Sequence, residues 1–286
     1  METSQITLVE CPRDAMQGWE HFIPTSKKIE YLNQLLHVGF DVLDFGSFVS
    51  PKAIPQLADT AEVLSQLDLS ETKTKLLAIV ANMKGAQAAV SFSQIDFLGY
   101  PFSISSTFQM RNTNATLEQS WDNVLQMRDL CSQHNRKFVV YLSMGFGNPY
   151  GDDWSPQMVL EWTKKMDEAG IAVISLADTV GMAKVNDIGA IFNSLQNEKI
   201  NAEYGIHLHT TPYNWQEKVD AAFNNGCKRF DAALKRNGGC PFAEDDLVGN
   251  LATENLMMYL EEKKINLNID KNQFAKALDL ATFTFN

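Results

Sequence analysis

Short apolar, β-branched runs alternate with helix-like segments from one end of the chain to the other. The runs predict strands at Ile6–Glu10, Val42–Phe45, Leu76–Val80, Ser103–Ser106, Phe138–Leu142, Val173–Leu176, Gly205–Leu208 and Arg229–Asp231. Gln94–Phe97 competes with Ser103–Ser106 for the fourth place. Between the runs, apolar residues recur at helical spacing. Ile29, Leu32, Leu35 and Leu36 form one stripe, opened by the cap-like Pro24-Thr25-Ser26 and stopped near Gly39. Val159, Trp162 and Met166 form another between Ser155-Pro156 and Gly170, with Ser as the cap and Pro in the first turn. A third helix fills Leu117 to Gln133, and Asp270 to Thr284 reads as a last one.

Eight strand candidates in 286 residues give about 36 residues per unit, the size of a βα repeat in an eightfold barrel. Such alternation demands a parallel sheet. A doubly wound open sheet has the same alternation, but no GxGxxG follows the first strand. No Gly/Ser-rich linker divides the chain, so one domain over residues 1–286 is expected.

Composition narrows the function classes. Hydrophobic residues make up 45% and charged residues 21%, as in a folded globular protein. The net charge of −11 argues against nucleic acid, whose phosphates need clustered Lys and Arg. An anionic small molecule stays compatible, because a local field can differ from the net charge. The four cysteines, at 11, 131, 227 and 240, form no CxxC pair, which suits a reducing compartment. METSQITLVE lacks the pattern of a signal or transit peptide, and no run approaches 18 apolar residues. A soluble, cytoplasmic protein with no membrane partner is the expectation.

Titratable residues recur where strands end, the face of a βα barrel that carries active sites. Arg13, Asp14 and Gln17 follow the first strand. Asp44 and Ser47 lie at the second, and Ser175 and Asp178 at the sixth. His207 and His209 mark the seventh. Gly238-Gly239-Cys240-Pro241 and then Asn250 follow the eighth. In His207-Leu208-His209, alternate strand positions can turn both imidazoles to one face. With Asp14 and the Asn250 amide they make a two-nitrogen, two-oxygen set that suits Mg²⁺ or Mn²⁺ better than structural zinc. A bare HxH is more often two packed histidines; the neighbouring strand-end carboxylates favour metal. Arg13-Asp14 alone reads as a surface ion pair. In a site, Arg13 would hold a developing oxyanion with a permanent charge. Asp44 is a candidate to orient Arg13 or to act as base, against a plain loop role. Cys240 is a candidate acid or base on a glycine-flanked loop, or an incidental thiol. Cys11, Cys131 and Cys227 read as packing residues. Lys235-Arg236 reads as a solvated pair or a phosphate contact.

VECPRDAMQ, DFGSFVSPKAIPQ, ISLADTVG, HLHT and GGCPFAEDDLVGNLATENL resemble the successive motifs of the 3-hydroxy-3-methylglutaryl-CoA lyase family, in order over residues 8 to 260. RD and HxH recur in the wider group of metal-dependent barrel lyases; SFVSPK with GGCP is more specific. The resemblance implies an α/β fold, a single (β/α)8 TIM barrel with an additional C-terminal helix. It implies cleavage of 3-hydroxy-3-methylglutaryl-CoA to acetyl-CoA and acetoacetate, of the leucine-degradation or ketone-body type. A divalent metal, Mg²⁺ or Mn²⁺, would be held by Asp14, His207, His209 and Asn250 against the substrate's hydroxyl and carboxylate. Arg13 would stabilise the enolate and Cys240 would be the catalytic thiol. Asp44 and Asp178 would act beside them, and Gln17, Ser47, Ser175 and Glu254 would shape the substrate site. Lys52, Arg111, Lys235 and Arg236 are the cations available to the CoA arm. A homodimer is the assembly the resemblance suggests, although no interface stripe stands out.

The chain departs from the family pattern near these motifs. Asp44 stands where Glu is usual, and Thr210 where HxHD would place Asp. EC-PRDAMQ is one residue shorter before its Pro, with Ala15 for Gly. The Cys-to-Asn loop is one residue longer and its approach, LKRNGG, more basic. A related barrel lyase or aldolase on another hydroxyacyl-CoA or hydroxy-oxo acid, and an inactive barrel serving as a scaffold, are the competing expectations. Condensing enzymes share RD and HxH but would not carry GGCP.

Overall fold

The computed structural model describes residues 6–238 and 248–285. Eight parallel strands close into a barrel: β1 (Thr7–Glu10), β2 (Val42–Ser47), β3 (Lys75–Ile79), β4 (Ile95–Ser103), β5 (Lys137–Ser143), β6 (Val173–Ala177), β7 (Glu203–His207) and, after the two-residue β8 (His209–Thr210), β9 (Arg229–Ala232). A second short strand, β10 (Gly249–Asn250), pairs antiparallel with β8 at the barrel mouth. The closed parallel barrel is the fold that the motif resemblance implies.

The helices are α1 (Pro12–Gln17), α2 (Thr25–Leu36), α3 (Thr60–Ser65), α4 (Met83–Val90), α5 (Ser106–Thr113), α6 (Leu117–Gln133), α7 (Pro156–Glu168), α8 (Val185–Asn197), α9 (Trp215–Asn224), α10 (Thr253–Glu262) and α11 (Lys271–Thr284). Local signals set their ends. Ser155 accepts from the Met158 N–H, with Pro156 opening α7. Gly170, at φ +76°, lies just past its end. Asp270 caps α11 by accepting from the N–H groups of Asn272 and Gln273. This last helix packs on α2: Phe285 meets Tyr31 edge-on and Gln34 bonds Gln273.

Each strand shows two faces. Residues such as Leu8, Leu98, Val140, Ile174 and Ile206 are buried in the hydrophobic core, together with Leu35, Val124, Val159 and Ile188 from the helices. The continuous apolar runs reflect burial on both sides of the sheet.

One strand differs from expectation. The fourth is Ile95–Ser103, spanning most of the competing Gln94–Phe97 and meeting the favoured Ser103–Ser106 only at Ser103. Gly99 and Pro101 look like breakers but are accommodated. A Cβ at Gly99 would lie 2.6 Å from Ile79 Cδ1 and 3.0 Å from Tyr141 Cε2, so the absent side chain makes room for its neighbours. Pro101 lies beyond the last pairing of β3 with β4, at Gly99, where that side needs no ladder donor.

Candidate active site

The first half of the site sits on α1, directly after β1. Pro12 opens this short helix, and its turn places Gln17 four residues after Arg13 and three after Asp14, spacings that bring it onto both side chains. Arg13 spans two carboxylates. Its Nε and Nη2 reach Asp44 Oδ2 at 3.0 and 2.5 Å, and its Nη1 reaches Asp14 Oδ1 at 3.0 Å. Nη1 also donates to Gln17 Oε1 at 2.9 Å, and Gln17 Nε2 donates to Asp14 Oδ1 at 2.9 Å. Asp44 rises from β2 and is wholly buried.

The second half comes from the far end of the chain. The two histidines meet, with ring centroids 5.2 Å apart, but not on one strand face as expected. His207 ends β7 in the barrel; His209 belongs to β8, in register with Asn250 of β10. The chain leaves the barrel ladder at Leu208, whose carbonyl accepts from the Leu251 N–H. That antiparallel pairing carries Asn250 beside His209. Asn250 Nδ2 then donates to Asp14 Oδ2 and to the Asn237 carbonyl, both at 2.8 Å.

These contacts leave defined lone pairs. Both Asn250 bonds use its amide nitrogen, so Oδ1 is left buried without a partner. His209 Nδ1 lies 2.8 Å from the Asp178 carbonyl. A carbonyl can only accept, so Nδ1 carries the proton and Nε2, also buried and unpartnered, keeps a lone pair. Ligand atoms of Asp14, His207 and His209 lie within 4.8 Å of one another. Two imidazoles, one carboxylate and one amide oxygen fit a hard or borderline divalent cation.

Electrostatics favour the ligating form of Asp14 and of His209. Burial works against the Asp14 charge, but Arg13, His207 and the Asn250 amide outweigh it and hold the carboxyl at about 2. Burial and the neighbouring His207 push His209 down to about 4, which keeps it neutral. Burial also lowers His207, but Asp231 and Asp14 outweigh it and raise the group. Burial pushes the Asp44 carboxyl up against the pull of Arg13.

Arg13, Asp14, Gln17, His207 and His209 line a cavity of about 460 Å³. Val49, Ile54, Ile79, Pro101 and Phe108 add apolar lining, and Arg111, also in the lining, lies over the Tyr150 ring. The other expected residues lie outside this lining. Ser47 accepts from the Val49 N–H, and Ser175 donates to Asp231 at 2.9 Å. The Asp178 carboxylate is taken by Lys218 and the Ala183 N–H, so it reaches the site through its carbonyl. Glu254 accepts from the Lys235 N–H. Lys52 is exposed, Arg236 donates to the Thr210 carbonyl, and Lys235 reaches the Thr282 hydroxyl. Cys240 lies outside the described residues. Cys11, Cys131 and Cys227 are buried, as expected of packing residues.

Three residues at the site escaped the sequence reading. Asp231 ends a predicted strand, and the strand-end rule could have found it. Tyr141 lines the cavity and meets the His207 ring edge-on, but an aromatic inside a strand reads as core. Lys218 is buried, donating to Asp178 and to the His209 and Gly181 carbonyls; nothing separates it from a surface helix lysine in sequence. Among the described residues, no helix is long and apolar enough to cross a membrane.

Comparison with known proteins gives concordant matches. The HMGL-like family model matches residues 5–281. The chain is 31% identical over 268 residues to the cytoplasmic 3-hydroxy-3-methylglutaryl-CoA lyase of Rattus norvegicus, covering 94% of this chain and 77% of that protein. It is 28% identical over 274 residues to the 3-hydroxy-3-isohexenylglutaryl-CoA/hydroxy-methylglutaryl-CoA lyase of Pseudomonas aeruginosa, covering 96% and 90%. A solved HMG-CoA lyase from Acinetobacter baumannii, in complex with coenzyme A and 3-methylmalate, superposes with a TM-score of 0.90 at 31% identity, covering 100% of this chain and 92% of that one.

Proposed function

The chain belongs to the HMGL-like family, and from that membership we propose that it cleaves 3-hydroxy-3-methylglutaryl-CoA into acetyl-CoA and acetoacetate with the help of one Mg²⁺ or Mn²⁺ ion. The observation that carries this reading is the buried group of Asp14, His207, His209 and Asn250 beside Arg13, of which Asp14 and both histidines line the cavity. A bound divalent cation supplies a Lewis acid that lowers the pKa of a coordinated hydroxyl. Asp14, His207, His209 and the Asn250 amide oxygen would hold it.

The chain's own residues account for the remaining demands. In the retro-Claisen step a base takes the hydroxyl proton. The bond between C2 and C3 of the acyl group then breaks, its electron pair passing to the carbon beside the thioester. Acetoacetate leaves and an enolate remains, to be protonated to acetyl-CoA. Negative charge grows on the thioester oxygen, and Arg13 is the permanently charged group for it. Asp44 grips Arg13 by two of its nitrogens, which makes Asp44 a positioning residue for the guanidinium. Gln17 ties Arg13 to Asp14, so the cation and the metal-binding carboxylate keep a fixed separation. Cys240 is the proposed proton donor to the enolate. The apolar lining residues Val49, Ile54, Ile79, Pro101 and Phe108 suit the hydrocarbon part of an acyl thioester, and Arg111 offers a charge to its CoA phosphates. A cytoplasmic location accords with the cytoplasmic relative.

The test is product analysis with 3-hydroxy-3-methylglutaryl-CoA after chelator treatment and after metal is returned. Acetoacetate release that stops with chelator and resumes with Mg²⁺ or Mn²⁺ supports the reading. No turnover of this substrate, with or without metal, overturns it.

A further inference from the structure

A second cluster of buried charge lies behind the histidine pair, unused by the reaction above. It consists of Asp231 and Arg229 on β9, facing His207 and Ser175. Strand register makes the contact: His207 and Asp231 are direct partners across β7 and β9. His207 Nδ1 lies 3.5 Å from Asp231 Oδ2, an ion-pair distance slightly longer than a hydrogen bond. Ser175 donates to the same oxygen at 2.9 Å. Arg229, two residues earlier on β9, shares that face and places Nε 4.0 Å from Asp231 Oδ1.

The fold makes room for this arginine. A Cβ on Gly205 would lie 2.7 Å from Arg229 Cβ, so the neighbouring strand carries no side chain there. Asp231 and Arg229 are each 1% exposed. Removing a charge pair from water costs nearly what its attraction returns, so the pair is a poor stabiliser. The polar atoms are also incompletely used. His207 Nδ1, Asp231 Oδ1 and Arg229 Nε and Nη2 are all buried without a hydrogen-bond partner. An approach of about 0.5 Å would bring the imidazole into hydrogen-bond range of Asp231, and one of about 1 Å would bring in the guanidinium.

We propose that Asp231, backed by Arg229, is a positioning residue whose carboxylate accepts the Nδ1–H of His207 and so fixes the tautomer that leaves His207 Nε2 as the lone-pair nitrogen. The guanidinium stands 4.0 Å from the carboxylate's other oxygen and also donates to Glu203 at 3.4 Å. Its functional meaning rests on the metal reading of the site, because a ligating imidazole needs one nitrogen bare and the other held. Asp231 thus carries the site across to β9 at the level of His207, and Arg229 carries it two residues deeper along that strand.

The tautomer can be read on the metal-free protein, apart from any turnover. With histidine labelled by ¹⁵N and the protein held at pH 8.5, wild-type His207 is expected as the Nδ1–H form. Asp231→Asn is expected to mix the tautomers and to weaken Mn²⁺ binding, followed by the EPR signal of free ion, by about 10- to 100-fold. Arg229→Met is expected to weaken binding less, and the double variant no more than Asp231→Asn alone. A wild-type Nε2–H tautomer, or an Asp231→Asn protein with unchanged tautomer and Mn²⁺ affinity, overturns the proposal. If Asp231→Asn does not fold, the wild-type tautomer alone decides. A failure to cleave 3-hydroxy-3-methylglutaryl-CoA would sink the proposed reaction and leave the tautomer result standing.

Discussion

Asn250 Nδ2 donates to Asp14 Oδ2 over 2.8 Å, joining side chains 236 positions apart in the sequence. The bond decides the orientation of the amide and thereby which Asn250 atom remains for a cation. Asn250→Ala should therefore weaken Mn²⁺ binding by at least about tenfold, with an unchanged far-UV circular dichroism spectrum. Unaltered affinity in that variant would remove Asn250 from the ligand set.

Arg13 lies between Asp44 and Asp14, and both carboxylates are buried. Arg13→Met should leave that pair of charges uncompensated and destabilise the fold by about 3–5 kcal/mol. Loss of the charge that meets the enolate should lower kcat by about 10²–10³-fold. Adding Asp44→Asn should recover part of the stability and none of the rate. Denaturant unfolding and steady-state kinetics on the two proteins separate these effects.

Much of this was legible in the sequence. The alternation of apolar runs and capped helical stripes located seven of the eight barrel strands, because strands buried on both faces write continuous hydrophobic runs. Leu117–Gln133 was read to its ends, because Thr116 and Gln119 cap each other in a reciprocal box. The fourth strand was obscured by Gly99 and Pro101, whose fitness depends on Tyr141 and on where β3 stops. Both are tertiary facts. The HxH spacing correctly brought two imidazoles together, but β8 is made by pairing with β10 some 40 positions later, as its register shows. Period-2 reasoning cannot see that break. Lys218 was invisible, because only the fold turns that face of α9 onto Asp178.

Glu10 gives a pH dependence remote from the chemistry. It is buried, accepting from the Leu234 N–H at 2.9 Å and from the Thr253 hydroxyl at 2.5 Å. Burial raises its pKa from an ordinary 4.5 to about 8, although both hydrogen bonds pull it down. The folded protein therefore holds this proton more tightly than the unfolded chain does. Its contribution to stability is complete below pH 4.5 and is lost as the pH rises through about 8. Glu10→Gln, which cannot ionise, should flatten that decline. The variant should gain on wild type between pH 5 and pH 8.5 in thermal unfolding midpoints; parallel curves would exclude a buried, protonated Glu10.

Cys240 separates binding from chemistry. If its thiol supplies the final proton, Cys240→Ala should lower kcat by about 10²–10⁴-fold while Mn²⁺ affinity stays at the wild-type value. Wild-type turnover in that variant would count against a catalytic thiol, and a parallel loss of metal affinity would place Cys240 among the structural supports.

The most direct measurement is diffraction from crystals grown with excess Mn²⁺, recorded where manganese scatters anomalously. A single anomalous peak at about 2–2.3 Å from an Asp14 oxygen, one nitrogen each of His207 and His209, and Asn250 Oδ1 is the predicted result. No peak among these four side chains, in crystals where the ion is seen elsewhere, would contradict a metal-dependent site at this end of the barrel.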